Sequence, residues 1–342
     1  MQKQTPRLRE IAQESGLSLA TVDRVLNQRG HTSERAQRKI ADAILRLENG
    51  SLFNQTEFGT FDLILPRNAG LSTEYLAAYF KIGATRRGID LRHHYVNRLD
   101  PIDLQRIIGK CLENGSAGIA FQALEEVRIR SILLDAVASS IPLVAVVSGL
   151  SSSSLNYVGL DNRAAGRTAA YMMSALNHSM GPIAVVWGGH LYHGHEERES
   201  GFRSYFRNFN ANTEIVDVRC SQDDADEAFE LVSNLLEKRR DLSGVYCIGG
   251  GIIGTVKAIE NFRNKNGCIV IGHNLTSNTR DFLLKNLIDV VIHQDMQQIA
   301  EKTLDIFCLN NKQNNIYDNL VPIEIITKEN IRDNIDIDNI IS

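Results

Sequence analysis

The chain has 342 residues, of which 43% are apolar, 23% charged and 6% aromatic. That length predicts two or three domains with real cores, and 25 Gly with 6 Pro exclude collagen-like and disordered compositions. No run of 18 apolar residues occurs, which excludes a membrane-spanning helix on length. Met1–Arg9 is polar and basic with no apolar segment behind it, so the expectation is a cytoplasmic protein without a secretory signal. The net charge of −4 is unevenly spread: residues 1–48 hold nine Lys/Arg against six Asp/Glu, and the remainder holds 28 against 35. A positive head on an acidic body suits a nucleic-acid-binding module joined to a second function. The five cysteines are never closer than 21 residues, so no CxxC zinc or redox pair exists. They read as small buried hydrophobes, with one stray reactive thiol as the alternative.

In the head, Leu8, Ile11 and Ala12 give the i, i+3, i+4 stripe of a first helix, which Gly16 ends. Ser18 is the N-cap of a second helix with Val22, Val25 and Leu26 inward. Thr32 or Ser33 caps a third, burying Ala36, Ile40, Ala43, Ile44 and Leu47. Two helices across a tight Gly-containing turn make a helix-turn-helix, whose second helix fits a DNA major groove. The other face of that helix shows Leu19, Ala20, Asp23, Arg24 and Asn27. Arg24 can donate a bidentate pair to guanine and Asn27 can bond a base edge or a phosphate. Ser18, Thr21, Arg29 and His31 are placed to hold phosphates. A solvated three-helix bundle for protein contact is the alternative.

The stretch Leu8–Ile40 resembles the N-terminal domain of the LacI/GalR family of bacterial transcription regulators. The likeness rests on Ala12, Gly16, Ser18, Thr21, Val22, Arg24, Val25, Leu26 and Asn27. Asp23 departs from it, standing where the family usually has a small serine. Its carboxylate repels phosphate, accepts from cytosine or orients Arg24. Residues 49–60, the expected linker, also depart: Gly50 breaks any helix where the family forms a hinge helix that wedges DNA apart. Either Leu52, Phe53 or Phe58 supplies the wedge, or the segment is a plain connector.

From residue 61 short β-rich runs alternate with helical stretches. Strands are predicted at Phe61–Leu65, Leu91–Val96, Ala117–Phe121, Pro142–Val147, Ile183–Trp187, Glu214–Arg219, Gly244–Ile248, Cys268–Ile271 and Val290–Ile292. Helices are predicted at 73–87, 101–114, 124–139, 163–178, 198–209, 224–239, 252–263 and 279–286. The fold class is therefore α/β: a three-helix head (1–48), then two doubly wound parallel-sheet subdomains (61–330). Ligands of such sheets bind beyond the carboxyl ends of the strands, here between the subdomains.

That body resembles the periplasmic-binding-protein-like effector domain found behind LacI-type heads. The likeness is carried by Val158-Gly-Leu-Asp-Asn162 with Ala165-Gly-Arg-Thr-Ala169, Arg198-Glu-Ser-Gly-Phe202, Ile271-Gly-His-Asn274 and Gln294-Asp295. It implies an effector held by Arg198, Asn274 and Gln294, groups whose donors and acceptors suit a polyol. Phe121, Tyr192 or Trp187 is the expected aromatic platform, with core packing as the alternative for Trp187. The triple glycine Gly249–Gly251, Gly250 at its centre, either brings backbone N–H groups to an anion or only turns the chain. His190-Leu-Tyr-His-Gly-His195 reads as a loop; His195 there bonds ligand, the histidines hold a metal, or the loop is plain surface. His93 and His94 must point to opposite faces of their strand.

Together these features predict a ligand-controlled transcription regulator, a repressor in the first instance. It would be a homodimer on a pseudo-palindromic double-stranded operator, with a sugar, polyol or their phosphate as effector and no catalytic residue, metal, cofactor or membrane contact. A sugar-binding protein of a transporter, or a sugar enzyme fused to a helix-turn-helix, is the competing reading. Neither a GK[ST] phosphate loop nor a GxSxG elbow is present.

Overall fold

The computed structural model describes residues 7–27, 36, 37, 39, 40, 43, 59–138, 140–151, 155–179, 181–219, 224–262, 267–309 and 319–331. Arg29, His31, the caps expected at Thr32 or Ser33, residues 49–58 of the linker and Cys220 lie outside the described residues. The chain divides into two compact units, Met1–Gly59 with Ala84–Asp90, and Thr60–Gly83 with Leu91–Ser342.

In the smaller unit, α1 (Leu8–Ser15) ends at Gly16, whose φ of 65° gives the left-handed turn that glycine adopts freely. Ser18 opens α2 (Leu19–Leu26) by accepting from the backbone N–H of Thr21 at 3.2 Å. Ile11, Val22, Ile40 and Ala43 form its buried core, with Ala12, Leu17 and Val25 packed against them. Leu8 and Leu26, expected inward, are instead exposed at 41% and 42%. The core of so small a unit is filled by one side chain per helical turn, and the flanking leucines fall on its rim.

The larger unit carries two sheets. The first is wholly parallel, in the order β2-β1-β3-β4-β5: β1 (Phe61–Pro66), β2 (Leu91–Val96), β3 (Gly118–Phe121), β4 (Leu143–Val146) and β5 (Asn156–Val158). Helices α3 (Leu71–Arg87), α4 (Pro101–Glu113) and α5 (Val127–Ala138) connect its strands. Every residue of β1, β3 and β4 is buried, as strands covered on both faces require. The second sheet has the order β11-β10-β9-β8-β6-β7. It comprises β6 (Ile183–Trp187), β7 (Ile215–Arg219), β8 (Gly244–Cys247), β9 (Ile269–His273), β10 (Val290–His293) and β11 (Glu324–Ile326). Between them run α6 (Asn162–Leu176), α7 (His193–Phe209), α8 (Ala225–Lys238), α9 (Ile252–Phe262), α10 (Ser277–Leu284) and α11 (Met296–Leu309). The expected parallel order holds except at its edge, where β11 runs antiparallel to β10. No alternating pattern marks β5, α11 or β11 in the sequence, because two of the three are three-residue edge pieces.

The chain passes between the lobes three times. It leaves the first sheet after β5, returns after β10 so that Phe307 of α11 stacks on Phe61 (centroids 4.7 Å apart), and leaves again toward β11. The first and third passages run side by side, since Val321 N–H donates to the Gly159 carbonyl at 2.9 Å. Helices α6 and α7 meet backbone to backbone. A Cβ on Gly166 would overlap the carbonyl oxygen of Arg198, and one on Gly201 would overlap that of Arg163. These are the glycines of the Ala165-Gly and Arg198-Glu-Ser-Gly stretches, so their small size is a packing requirement. Gly166→Ala is therefore expected to lower stability by about 1–3 kcal/mol, read as a lower urea midpoint at unchanged slope.

Candidate functional site

One cleft collects the carboxyl ends of strands from both sheets. Its lining includes Gly70–Thr73 after β1, Arg98 after β2, Gln122 after β3, Val147 and Ser148 after β4, Tyr192, Gly194 and His195 after β6, Ile248–Gly250 after β8, His273 at the end of β9 with Asn274 just past it, and Gln294 after β10. The empty space, open mouth included, is about 1010 Å³. Four non-glycine residues at these strand ends hold positive φ: Asn68 (53°), Leu99 (56°), Val147 (64°) and Asn274 (63°). A branched valine there stores strain of order 1–3 kcal/mol, and it is held by its N–H bond to the Val158 carbonyl at 3.0 Å.

Arg198 sits on the first lobe-facing turns of α7, buried to 4% exposure. Its Nε donates to Asn162 Oδ1 at 2.8 Å and a terminal nitrogen donates to the Ile248 carbonyl at 3.0 Å. Asn162 Nδ2 in turn donates to the Tyr157 hydroxyl at 2.9 Å, and that hydroxyl lies 2.9 Å from the Leu160 carbonyl and 3.1 Å from that of Val147. The alternative expectation, a salt bridge from Arg198 to Glu196 or Glu199, is not the arrangement found. Glu196 approaches His190 and His193, and Glu199 pairs with Arg203.

On the other side, Gln294 is fully buried; its Nε2 donates to Asn274 Oδ1 at 3.2 Å, while its Oε1 meets no hydrogen-bond donor. His273 is 5% exposed, with Nε2 2.8 Å from the Tyr246 hydroxyl and Nδ1 without a hydrogen-bond partner. Burial, then the charges of Arg198 and His195, push the His273 imidazole well below its ordinary 6.5, so it is neutral at pH 7. Tyr246, stacked on Phe202 at 4.6 Å, has its hydroxyl pushed up by the same burial.

The lobes touch around this cleft. Leu191 and Tyr192, on the loop from β6 to α7, pack into the core of the first lobe with Leu124, Ile129 and Leu150. Glu125 N–H donates to the Leu191 carbonyl at 2.8 Å, and Gly194 N–H to Ser148 Oγ at 3.3 Å. Ser277 N–H donates to the Tyr75 hydroxyl at 3.3 Å.

Of the residues singled out in the sequence, Tyr192, His195, Arg198, Gly250, Asn274 and Gln294 line the cleft together. Phe121 does not. It is the last residue of β3 and fully buried in the core of the first lobe, and the lining position is the next one, Gln122. Strand parity turned Phe121 inward. Trp187 is 2% exposed and outside the lining; its ring meets His190 edge-on at 4.8 Å and lies under Arg219. The histidine-rich stretch is not a free loop either, for α7 begins at His193, five residues before the expected start. Arg98, Gln122, Ser148 and His273 also line the cleft, and none of them is among the candidate ligand residues that the sequence offers. They stand at or just past the carboxyl ends of strands, which marks them as candidates but does not decide which of them face the cleft.

A second polar group lies in the first lobe, away from this lining. Asp62 is fully buried and accepts an Arg92 fork (2.9 and 2.7 Å) and His94 Nε2 at 2.7 Å. With Cys111 it brings three metal-capable atoms within 4.8 Å. Burial foremost, then neighbouring Asp62, pushes the Cys111 thiol up to about 12. The arrangement ties β1 to β2. His93 faces away from it and packs on Tyr95, as strand alternation required.

In the smaller unit, Ser18, Leu19, Ala20, Arg24 and Asn27 are exposed on α2 and Thr21 is half-buried. Asp23 Oδ1 accepts from Asn27 Nδ2 at 2.7 Å, so it positions Asn27 rather than Arg24, whose Nε bonds the Ala20 carbonyl.

With this geometry in place, comparison with known proteins gives the class. A family model for the periplasmic binding protein domain matches residues 85–309, and the chain belongs to that family. The glucose-galactose binding protein GanP of Geobacillus stearothermophilus is similar in fold, with TM-score 0.70 and 21% identity over 80% of this chain and 99% of that one. The arabinose-binding protein AraP of the same organism gives 0.65 and 20%, over 83% and 99%. A carbohydrate transporter solute-binding protein of Agrobacterium radiobacter, in complex with D-arabinose, gives 0.72 and 17%, over 84% and 100%. No curated protein matches the chain in sequence at a significant level. Among the described residues no helix is long and apolar enough to cross a membrane.

His273 supplies a pH test. Its folded value lies below the unfolded 6.5, so the unfolded chain binds the extra proton first and stability falls as pH drops below about 6.5. His273→Gln is expected to flatten that part of the stability–pH curve by up to about 1.4 kcal/mol per pH unit, measured by urea unfolding between pH 5 and 7.5.

Proposed function

We propose that the larger unit binds one small polyhydroxylated ligand, a sugar or polyol, reversibly in the cleft between its lobes. The observation that carries this is the convergence there of Arg198, Asn274, Gln294, Gln122 and Ser148 from both sheets. The buried Gln294 Oε1, with no donor of its own, is a ready acceptor for a ligand hydroxyl. Asn274 adds a second amide, and Arg198 is fixed at the cleft wall by its bonds to Asn162 and the Ile248 carbonyl. The sugar-binding names of the structural relatives point the same way. Among the described lining residues there is no Asp or Glu to serve as the base that a sugar kinase or glycosidase needs, which favours binding over turnover. Isothermal titration against pentoses, hexoses, polyols and their derivatives tests this. Arg198→Ala is expected to abolish the heat of binding, and a variant that titrates like the wild type would remove the cleft from consideration.

A second reading joins this receptor to DNA. It is favoured by α2, which buries Val22 and presents Arg24, Asn27, Leu19 and Ala20 outward behind a Ser18 cap and a left-handed Gly16 turn. In this reading the N-terminal unit is a LacI-type helix-turn-helix with α2 in the major groove, and two copies grip a pseudo-palindromic operator. The protein is then a cytoplasmic repressor whose ligand works only if it prefers one arrangement of the receptor lobes. Arg24→Ala is expected to lower specific DNA affinity by about 1–3 kcal/mol while leaving ligand titration unchanged. Electrophoretic shift on the upstream region of its own gene measures the first. If the wild type shifts no such fragment at low salt, the DNA reading falls and the receptor stands alone.

A further inference from the structure

His273 lines the cleft with one of its two ring nitrogens already committed. Its Nε2 lies 2.8 Å from the hydroxyl of Tyr246, a residue outside the lining whose ring is fully buried against Phe202. Among the described residues that hydroxyl has no other hydrogen-bond partner. The direction of the bond follows from counting. If Tyr246 donates to Nε2, the phenolic proton is used and only the Nδ1–H is left over. If Nε2 donates instead, both the phenolic proton and the Nδ1 lone pair are left over. An unmade hydrogen bond at a buried group is costly, so the first arrangement wins. The ring is neutral at pH 7, through burial foremost and then the charges of Arg198 and His195, so one nitrogen alone carries a proton.

That proton is therefore on Nδ1, and among the described residues none accepts it. A neighbour on the same wall has the opposite need. Gln294 stands just past β10, which pairs with β9. It spends Nε2 on Asn274 Oδ1 and keeps an Oε1 to which no described residue donates. One bare donor and one bare acceptor thus sit at adjoining strand ends, on residues exposed by 5% and 0%. Buried polar groups of this kind call for a partner. An anion alone brings no proton to Gln294 Oε1, and a cation alone brings nothing to accept from Nδ1–H. Hydroxyls donate and accept, so two hydroxyls of one molecule meet both needs.

We propose that His273 is a ligand-contacting, specificity-determining residue of the cleft: its Nδ1–H donates to one hydroxyl oxygen of the sugar or polyol while Gln294 Oε1 accepts from another hydroxyl. Tyr246 is the positioning residue behind it, holding the imidazole in the tautomer that donates. The proposal rests on the cleft being the ligand site, and it adds to that reading a contact whose direction is set from outside the lining.

The test separates the two ring nitrogens. Isothermal titration of the full chain with D-glucose, D-galactose, D-arabinose, D-ribose and xylitol selects the tightest of these probes, which is then titrated into two variants. His273→Gln keeps an acceptor for Tyr246 near the Nε2 position and has nothing at Nδ1. His273→Asn keeps an amide N–H near Nδ1 and loses the Tyr246 bond. His273→Gln is expected to weaken the probe at least about tenfold at a near-native unfolding temperature. His273→Asn is expected to retain more of the affinity at a lower unfolding temperature. A purely structural histidine gives the reverse, with affinity following stability. Histidine 15N NMR of the free protein, with His273→Gln identifying the signal, is expected to find the proton on Nδ1, and Tyr246→Phe to spread it over both nitrogens. A probe that binds His273→Gln as tightly as the wild type, or a proton found on Nε2, would overturn the proposal while the cleft reading stands. If no probe binds the wild type, the cleft reading falls and this contact with it.

Discussion

The contact on which the site depends is the bare-backbone crossing of α6 and α7. Gly166 and Gly201 let the two helices approach until each backbone meets the other's carbonyl, and the carbonyl that Gly166 faces belongs to Arg198. This crossing fixes where the guanidinium stem starts, and Asn162, on the first turn of α6, fixes where its Nε points. Through Tyr157 the same chain of hydrogen bonds reaches the carbonyls of Val147 and Leu160, the first at the cleft and the second at the passage between lobes. One packing constraint thus sets the position of a cleft-lining cation and ties it to the passage between the lobes. A methyl group at either glycine would disturb all of it at once.

The lobes are joined by three passages and by few other fixed ties. The seat of Leu191 and Tyr192 in the first lobe's core, together with the bonds at Ser148 and Tyr75, holds the two lobes to each other across the cleft. On the proposed function, a ligand bridging both walls would add its own bonds to these ties. It would shift the populations of two lobe arrangements only by the difference in its affinity for them. The strained Val147 and the left-handed Asn274 both lie on the cleft wall, where such stored strain is tolerated because surrounding hydrogen bonds over-determine it.

Reading the sequence located most of the larger unit because buried parallel strands are continuous apolar runs, and Ile183–Trp187 is an example whose limits agree with the structure. The resemblance singled out Arg198, Asn274 and Gln294; the last two stand just past buried strands, while Arg198 lies inside α7. Reading the sequence erred by one residue at Phe121, where the run continues to the last buried position and the cleft lining starts at the polar Gln122. It missed the early start of α7 because His193, Gly194 and His195 have weak helical preference. There Tyr192 anchors in the first lobe and tertiary packing overrides propensity.

By itself, the chain order of apolar runs, glycines and strand-end polar groups determined the alternation of β and α, the two-lobed body and a minority of the cleft lining. Those features follow from local periodicity and from where a strand must stop. Only the tertiary structure decided that Gln122, Ser148, Arg98 and His273 join the cleft, that His190 and Trp187 do not, and that α11 and β11 cross between lobes. Residues that share no sequence neighbourhood become neighbours only when sheets twist and helices pack, and no periodicity along one chain records that.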